Sequence, residues 1–155
     1  MADDAGRIEA LYDKDVVAWA EQQADALRRR ACGDELDYDN LAEEIEDLAK
    51  RELRACESHL DVIIEHLLKL EFASPALLRD NERGWRVSVR KARHSLQKEL
   101  TPTLRRRVPE DVPEHYRREA EYLFELGLIP ASAATVRGAY SWTELTDDDW
   151  WPERG

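Results

Sequence analysis

The chain has 155 residues, 37% of them charged, and a formal net charge of −11. This length suits one domain with a real hydrophobic core, and two cysteines, Cys32 and Cys56, are too few for the disulfide framework of a small secreted protein. No apolar run approaches the roughly 18 residues that a membrane span needs, and the N-terminus lacks a secretory signal pattern. We therefore expect one soluble, cytoplasmic domain over residues 1–155, with reduced thiols and no membrane contact. Residues 1–12 and 150–155 are candidates for flexible ends.

The charge is unevenly distributed. Basic residues outnumber acidic ones by 10 to 3 in residues 79–107, whereas acidic residues outnumber basic ones by 20 to 9 in residues 1–78 and by 11 to 4 in residues 108–155. The overall acidity opposes a polyanion, so we do not expect a dedicated nucleic-acid binder. The basic block must either pair internally or face a partner.

The first two predicted helices come from apolar residues at spacings of three and four, without hairpin signals, which indicates an all-α fold. The first helix should start near Asp13 or Asp15, stop at Gly33 and direct four residues inward: Val16, Trp19, Ala20 and Leu27. The second should start with a capping box of Asn40 and Glu43 and stop before Ser74-Pro75, spanning roughly 50 Å. Its apolar stripe contains Leu41, Ile45, Leu48, Leu53, Cys56, Leu60, Ile63, Ile64 and Leu67.

The second half of the chain predicts two more helices and a tail of short pieces. A third helix should run from just after Asn81 to about Leu100, with Trp85, Val89, Ala92, Leu96 and Leu100 inward. A fourth should have Pro113 in its first turn and stop at Gly127. Together these elements predict a bundle-like domain of about four main helices with short terminal helical elements.

Four segments of the sequence stand out together: LYDKDVVAWAEQQADALRR, DELDYDNLAEEIEDLAKRELRACESHLDVIIEHLLKLEF, GWRVSVRKAR and YSWTELTDDDWWPE. They resemble the family catalogued as domain of unknown function 29, a set of mainly bacterial helical proteins. The resemblance implies an all-α bundle-like domain. It implies no activity, ligand or catalytic residue.

One candidate metal site lies on the second helix. Glu52, Cys56 and His59 share one side of the helix at spacings of four and three, so they could supply ligands if another helix added His94 or His115. His66 is too far along the axis to bind the same ion as His59. The alternative, which we favour, is a core border on which the cysteine packs as a small apolar residue and the histidines find carboxylates.

The acidic run EEIED, residues 43–47, has a functional and a structural interpretation. Its carboxylates could serve acid–base chemistry or bind a hard cation. More simply, they sit at a helix start, where negative charge is favourable, and Lys50, Arg51 and Arg54 follow at ion-pair spacing.

The third helix carries its arginines along one side, in the row Arg83, Arg86, Arg90, Arg93 and Gln97. This face could dock on the acidic helix that starts near residue 40, within the fold or across a dimer, or on an acidic protein partner. Nucleic acid is a weaker alternative because Trp85 falls on the inward side. The tail DDDWWPE leaves a choice between a free acidic-aromatic docking motif and a clamp formed by Trp150 and Trp151, which we favour.

No catalytic or cofactor motif is present, so we predict no cofactor and leave enzymatic activity open. The favoured hypothesis is a cytoplasmic interaction module that binds an acidic protein partner, or a second copy of itself. Its candidate contact residues are Arg83, Arg86, Arg90, Arg93, Trp150 and Trp151. The alternative is a metal-dependent helical-bundle enzyme with Glu52, Cys56 and His59 as ligands.

Overall fold

The structure is a computed structural model that describes residues 8, 10–13, 16–31, 33–136 and 138–154. Over these residues the secondary structure is helical, without a strand, which confirms the all-α prediction. The long helices are α1 (Val16–Arg28), α2 (Tyr38–Phe72), α3 (Pro75–Glu99) and α4 (Leu104–Glu125). A 3-10 turn at Gly33–Glu35 precedes α2, and two short helices, α5 (Ala133–Val136) and α6 (Trp142–Thr146), follow α4.

By their internal contacts the residues form two compact units, 1–50 and 51–155. The single-domain prediction therefore stays a prediction. None of the helices in the described ranges has the length and apolar character needed to cross a bilayer.

The first unit is held by a polar connection between α1 and the start of α2. Buried Gln23 accepts the backbone N–H of Asp37 at 2.8 Å and donates to the carbonyl oxygen of Glu35 at 3.3 Å. The indole of Trp19 donates to the Asp37 carboxylate at 3.2 Å and packs edge-on against Tyr12. Because Trp19, Gln23 and Asp37 are all buried, each of their polar groups needs a hydrogen-bond partner.

Helix α1 differs from its prediction in its buried side and its end. Ala20 and Leu27 are exposed, and Gln23 and Ala26 are buried in their place at four and seven residues from Trp19. Val16 begins the helix, but its side chain lies outside the described set. The helix ends at Arg28 rather than Gly33, because Arg30 takes the left-handed φ of 55° and Ala31 N–H donates to Ala26 O.

Helix α2 starts two residues before the predicted cap. Asp37 caps it, since one carboxylate oxygen accepts the backbone N–H of Asn40 at 3.3 Å and the other accepts its side-chain amide at 2.8 Å. The predicted end before Ser74-Pro75 is confirmed, because the helix stops at Phe72. Ile45 and Leu48, predicted to point inward, are 68% and 55% exposed.

The second unit is a bundle of α2 from residue 51 onward, α3 and α4, covered by the C-terminal segment. Its core draws on every one of these elements: Cys56, Leu60, Ile63, Ile64 and Leu67 of α2; Val89, Ala92 and Leu96 of α3; Val108, Val112, Tyr116 and Leu123 of α4; and Tyr140 and Leu145. Burying such side chains contributes roughly 1.5–3 kcal/mol each before the entropy cost of ordering them.

Helices α3 and α4 both begin earlier than predicted. Ser74 caps α3 by accepting the backbone N–H of Leu77, and Pro75 occupies the first helical position, where its missing N–H costs nothing. Helix α4 contains Pro109 and Pro113 in its interior, although each removes a backbone hydrogen bond. Burial of Leu104, Val108 and Val112 on the same helix offsets that loss.

The end of α4 agrees with the prediction. Gly127 has a φ of 70°, its N–H donates to Phe124 O, and the N–H of Leu128 donates to Leu123 O. This pair of bonds is the Schellman arrangement, which requires the left-handed conformation that glycine adopts without strain.

Candidate interaction surface

The predicted arginine row of α3 forms two adjacent rows in the structure. Arg93 is fully buried and Arg86 is half-buried, whereas Arg83 and Arg90 are exposed. Residues seven apart lie nearly in line on a helix, so Arg86 and Arg93 form one row and Arg83 and Arg90 the next. The first row faces the chain's own C-terminal segment, and the second is exposed to solvent, although Arg90 also reaches the Trp151 ring.

The buried guanidinium of Arg93 binds three backbone carbonyls of the C-terminal segment. Its Nε donates to Leu145 O at 2.9 Å, one terminal nitrogen donates to Glu144 O at 2.8 Å, and the other donates to Trp150 O at 3.1 Å. Burial lowers the pKa of Arg93, while the carboxylates of the aspartates at 148 and 147 act in the opposite direction. A charged fork thus satisfies the carbonyls at the end of α6 and in the turn that follows.

The two adjacent tryptophans of the tail pack on this surface. The Trp151 ring lies below three guanidiniums, with centroid distances of 4.5 Å to Arg86, 5.2 Å to Arg93 and 5.7 Å to Arg90. Trp150 packs edge-on against Tyr140 at 5.8 Å. The tail in the structure is therefore a clamp. The acidic-aromatic segment covers the row of Arg86 and Arg93, which we call the inner row.

The solvent-facing side of α3 carries basic residues from position 83 to position 98. These exposed residues, which we call the basic stripe, are Arg83, Arg90, Lys91, His94 and Lys98, with the 44% exposed Val87 among them. Arg83, Lys91 and Lys98 make no hydrogen bond, ion pair or ring contact with any residue in the described ranges. Arg86 differs, because Glu82 pairs with it at 2.9 Å.

A shallow groove of about 280 Å³ runs beside the basic stripe, between α2 and α3. His59 and Val62 line it from α2, and Ser88, Lys91, Ala92 and Ser95 line it from α3. Lys91 belongs to both features. The small side chains of α3 leave room there for an apolar group next to positive charge.

The residues suggested for a metal site do not converge as placed. Glu52 is exposed, Cys56 is fully buried, and His59 Nε2 lies 3.2 Å from Glu99 Oε1. Burial, then the carboxylates of Glu99, Glu52 and Glu57, raise the pKa of the Cys56 thiol. Across the described part of the chain, no three His, Cys, Asp or Glu side chains are grouped closely enough to hold a metal ion.

The other two histidines considered with the metal site, His66 and His94, have different surroundings. His66 Nδ1 lies 3.0 Å from Val62 O, and burial lowers its pKa. His94 is exposed on α3. Cys56 is a free, buried thiol, and Cys32 lies outside the described residues.

One cluster of ionisable groups was not foreseen. Buried His115 of α4 pairs through Nδ1 with Asp61 of α2, and Arg118 donates to the same carboxylate oxygen at 2.6 Å. The hydrogen bond to Asp61 raises the pKa of His115. The sequence signal is weak, since 54 residues separate His115 from Asp61 and only the position of His115 between Val112 and Tyr116 hints at burial.

The acidic run forms part of the exposed N-terminal half of α2. Lys50 pairs with Asp47 at 2.9 Å, as the predicted spacing requires, and Tyr12 donates to Glu44 at 2.9 Å. Glu43 and Glu46 are exposed. The predicted docking of the arginine face on this run stays a prediction.

A family model described as domain of unknown function DUF29 matches residues 11–151. No curated protein and no solved structure matches the chain.

Proposed function

The chain belongs to the DUF29 family, a domain of unknown function, and we propose that it is a cytoplasmic interaction module whose basic stripe binds an acidic protein surface. The family supplies the fold expectation and no chemistry. The proposal therefore rests on the side chains of α3.

The observation that carries the proposal is the lack of internal acidic partners for the stripe. Arg83, Lys91 and Lys98 have no ion pair within the described residues, in a chain where acidic residues outnumber basic ones by 34 to 23. Unpaired cations that share one helix face are favourable sites for complementary charge and accelerate encounter with an acidic surface. The inner row, Arg86 and Arg93, supports this face by holding the tail.

A protein partner fits these features better than a nucleic acid. The net charge of −11 repels a polyanion beyond the stripe itself. Trp85, the aromatic that could stack on a base, is half-buried and contacts Lys69 at 5.3 Å. An acidic helix or loop, whose charge is local, meets the stripe without that penalty.

The test reverses charge on the stripe without touching the clamp. We avoid Arg86 and Arg90, because both contact Trp151. Lys91→Glu/Lys98→Glu is compared with Arg106→Glu/Arg107→Glu, which makes the same net charge change at exposed positions on α4. Wild type and both variants are immobilised, and proteins retained from a lysate are quantified at low and high salt.

We expect the wild type and the α4 control to retain a set of acidic proteins that high salt releases. The α3 variant should retain at least tenfold less of these proteins. If the α3 variant retains the same proteins as wild type, the basic stripe is not the binding surface. Equal loss in both variants would assign the retention to net charge alone and would also refute the proposal.

A further inference from the structure

The N-terminal half of α2 is an acidic helix with an exposed apolar side. Tyr38, Ile45 and Leu48 are 60%, 68% and 55% exposed, and Leu41 between them is half-buried. Their spacings of three and four align them on one side of the helix. Large apolar side chains that line up in this way mark an interaction site more often than isolated exposed ones do.

Acidic residues border this apolar side. Glu46 and Asp39 follow one edge about 100° to 120° from Ile45, and Glu44 lies about 100° away on the other edge. Glu46 and Asp39 are exposed. The segment 38–50 therefore presents an apolar centre between carboxylates.

The basic stripe of α3 has the complementary arrangement. Val87 lies at its centre, with Arg83 and Arg90 on one edge and Lys91 and Lys98 toward the other, next to the groove. The two surfaces also match in length, since 13 residues of α2 extend about 20 Å and the 16 residues from 83 to 98 extend about 24 Å.

We propose that the acidic surface bound by the basic stripe is residues 38–50 of a second copy of this chain. Leu41, Ile45 and Leu48 of one copy pack on Val87 and the groove beside Lys91 of the other, and the bordering carboxylates meet the lysines and arginines. This rests on the proposed function and names its partner. The contact joins two different surfaces, one from each copy, and is in that sense heterologous.

A heterologous contact permits a complementation experiment. Ile45→Gln/Leu48→Gln removes the apolar side of the acidic helix at exposed positions but keeps an intact basic stripe. Lys91→Glu/Lys98→Glu removes the stripe but keeps an intact acidic helix. Helical content by circular dichroism and the thermal unfolding midpoint verify that each full-length variant is folded.

Molar mass is measured by sedimentation over concentrations from low micromolar to several hundred micromolar. We expect the wild type to associate, each variant alone to associate at least tenfold more weakly, and an equal mixture of the two variants to recover a complex of the two chains. Arg106→Glu/Arg107→Glu should associate as the wild type does.

Two results would overturn the inference, and they differ in what they say about the proposed function. A wild-type chain that stays monomeric throughout refutes the second-copy partner, while the capture experiment still decides whether the stripe binds another acidic protein. Association that the mixture of variants fails to restore excludes docking of the acidic helix on the stripe. If Lys91→Glu/Lys98→Glu changes neither self-association nor capture, both proposals fail.

Discussion

Replacing Arg93 tests the energetics of the tail clamp directly. Its guanidinium is fully buried and donates to three carbonyl oxygens, at 2.8, 2.9 and 3.1 Å. A hydrogen bond to a charged group contributes about 1.5–3 kcal/mol. Three such bonds would give a larger sum than the net effect, because burying the guanidinium removes its hydration, as its lowered pKa indicates.

For Arg93→Ala we expect a loss of about 2–4 kcal/mol, because three hydrogen bonds from a charged group are lost while the cost of burying the guanidinium is recovered. The loss should appear first as detachment of the segment 141–151, because the carbonyls of Glu144, Leu145 and Trp150 regain water when the tail leaves. Arg93→Lys should recover only part of it, since a single ammonium group lacks the planar fork that reaches three acceptors.

Urea unfolding gives the change in free energy, and hydrogen exchange followed by mass spectrometry gives the protection of 141–151. Arg83→Ala is the matched control, because Arg83 is exposed on the same helix without a contact in the described chain; it should change stability by no more than about 0.5 kcal/mol. Exchange in 141–151 that is as slow in Arg93→Ala as in wild type, with a stability change below about 1 kcal/mol, would refute the clamp.

Four further outcomes are expected from the structure. Gly127→Ala should destabilise the protein by about 1–2 kcal/mol, because Gly127 has a left-handed φ. Gly84→Ala in the middle of α3 should stabilise it by about 0.5–1 kcal/mol. A Cβ atom added at either position has no neighbour within 4 Å, so equal effects in urea unfolding would contradict the backbone argument. The raised pKa of His115 means that its protonated form stabilises the fold below about pH 6.5 and that this contribution is lost as pH rises through the raised value. The stability difference between wild type and His115→Gln should therefore shrink as the pH rises above about 6.5, and a constant difference would refute the pairing with Asp61. In a Cys32→Ser background, Cys56 should react with a thiol reagent only as fast as the protein opens, because the thiol is buried and its pKa is raised. Rapid reaction in native buffer would show that the thiol is accessible to solvent. Finally, protein purified without chelator should contain metal well below one equivalent by mass spectrometry, and stoichiometric metal would restore the hypothesis that this cysteine is a ligand.

The sequence predicted the parts of the fold that local chemistry controls. The end of α2 before Ser74-Pro75 and the end of α4 at Gly127 follow from backbone restrictions of single residues. The inward positions Val89, Ala92 and Leu96 of α3 follow from helical periodicity. These features need no knowledge of distant parts of the chain.

The features that were missed depend on tertiary contacts. Two interior prolines argue against a helix over 104–125, and only burial of that helix against the core outweighs them. Ile45 and Leu48 continue the apolar stripe of α2, but periodicity cannot tell that this part of the helix is left uncovered. Asp37 lies one residue before the helix in the polar segment GDELDYD, where Asn40 offered an equally good capping signal.

The sequence predicted which arginines form the candidate surface, but not which of them are buried and which are exposed. Periodicity placed Arg83, Arg86, Arg90 and Arg93 on one side of α3, and the structure agrees that they are neighbours. The buried row and the exposed row lie only about 60° apart around the helix axis. The carbonyls that bind Arg93 lie more than 50 residues away in sequence. Nothing local distinguishes an arginine that will bind carbonyls from one that will face solvent.

The clamp also constrains when this fold can close during synthesis. Arg93 precedes its last acceptor, Trp150, by 57 residues. At about 5–20 residues per second, a ribosome needs about 3–11 seconds to add that stretch. Throughout this interval α3 carries a cation whose final partners do not exist, so a nascent chain must keep Arg93 hydrated, and the second unit reaches its native packing only when the residues around Trp150 have been made.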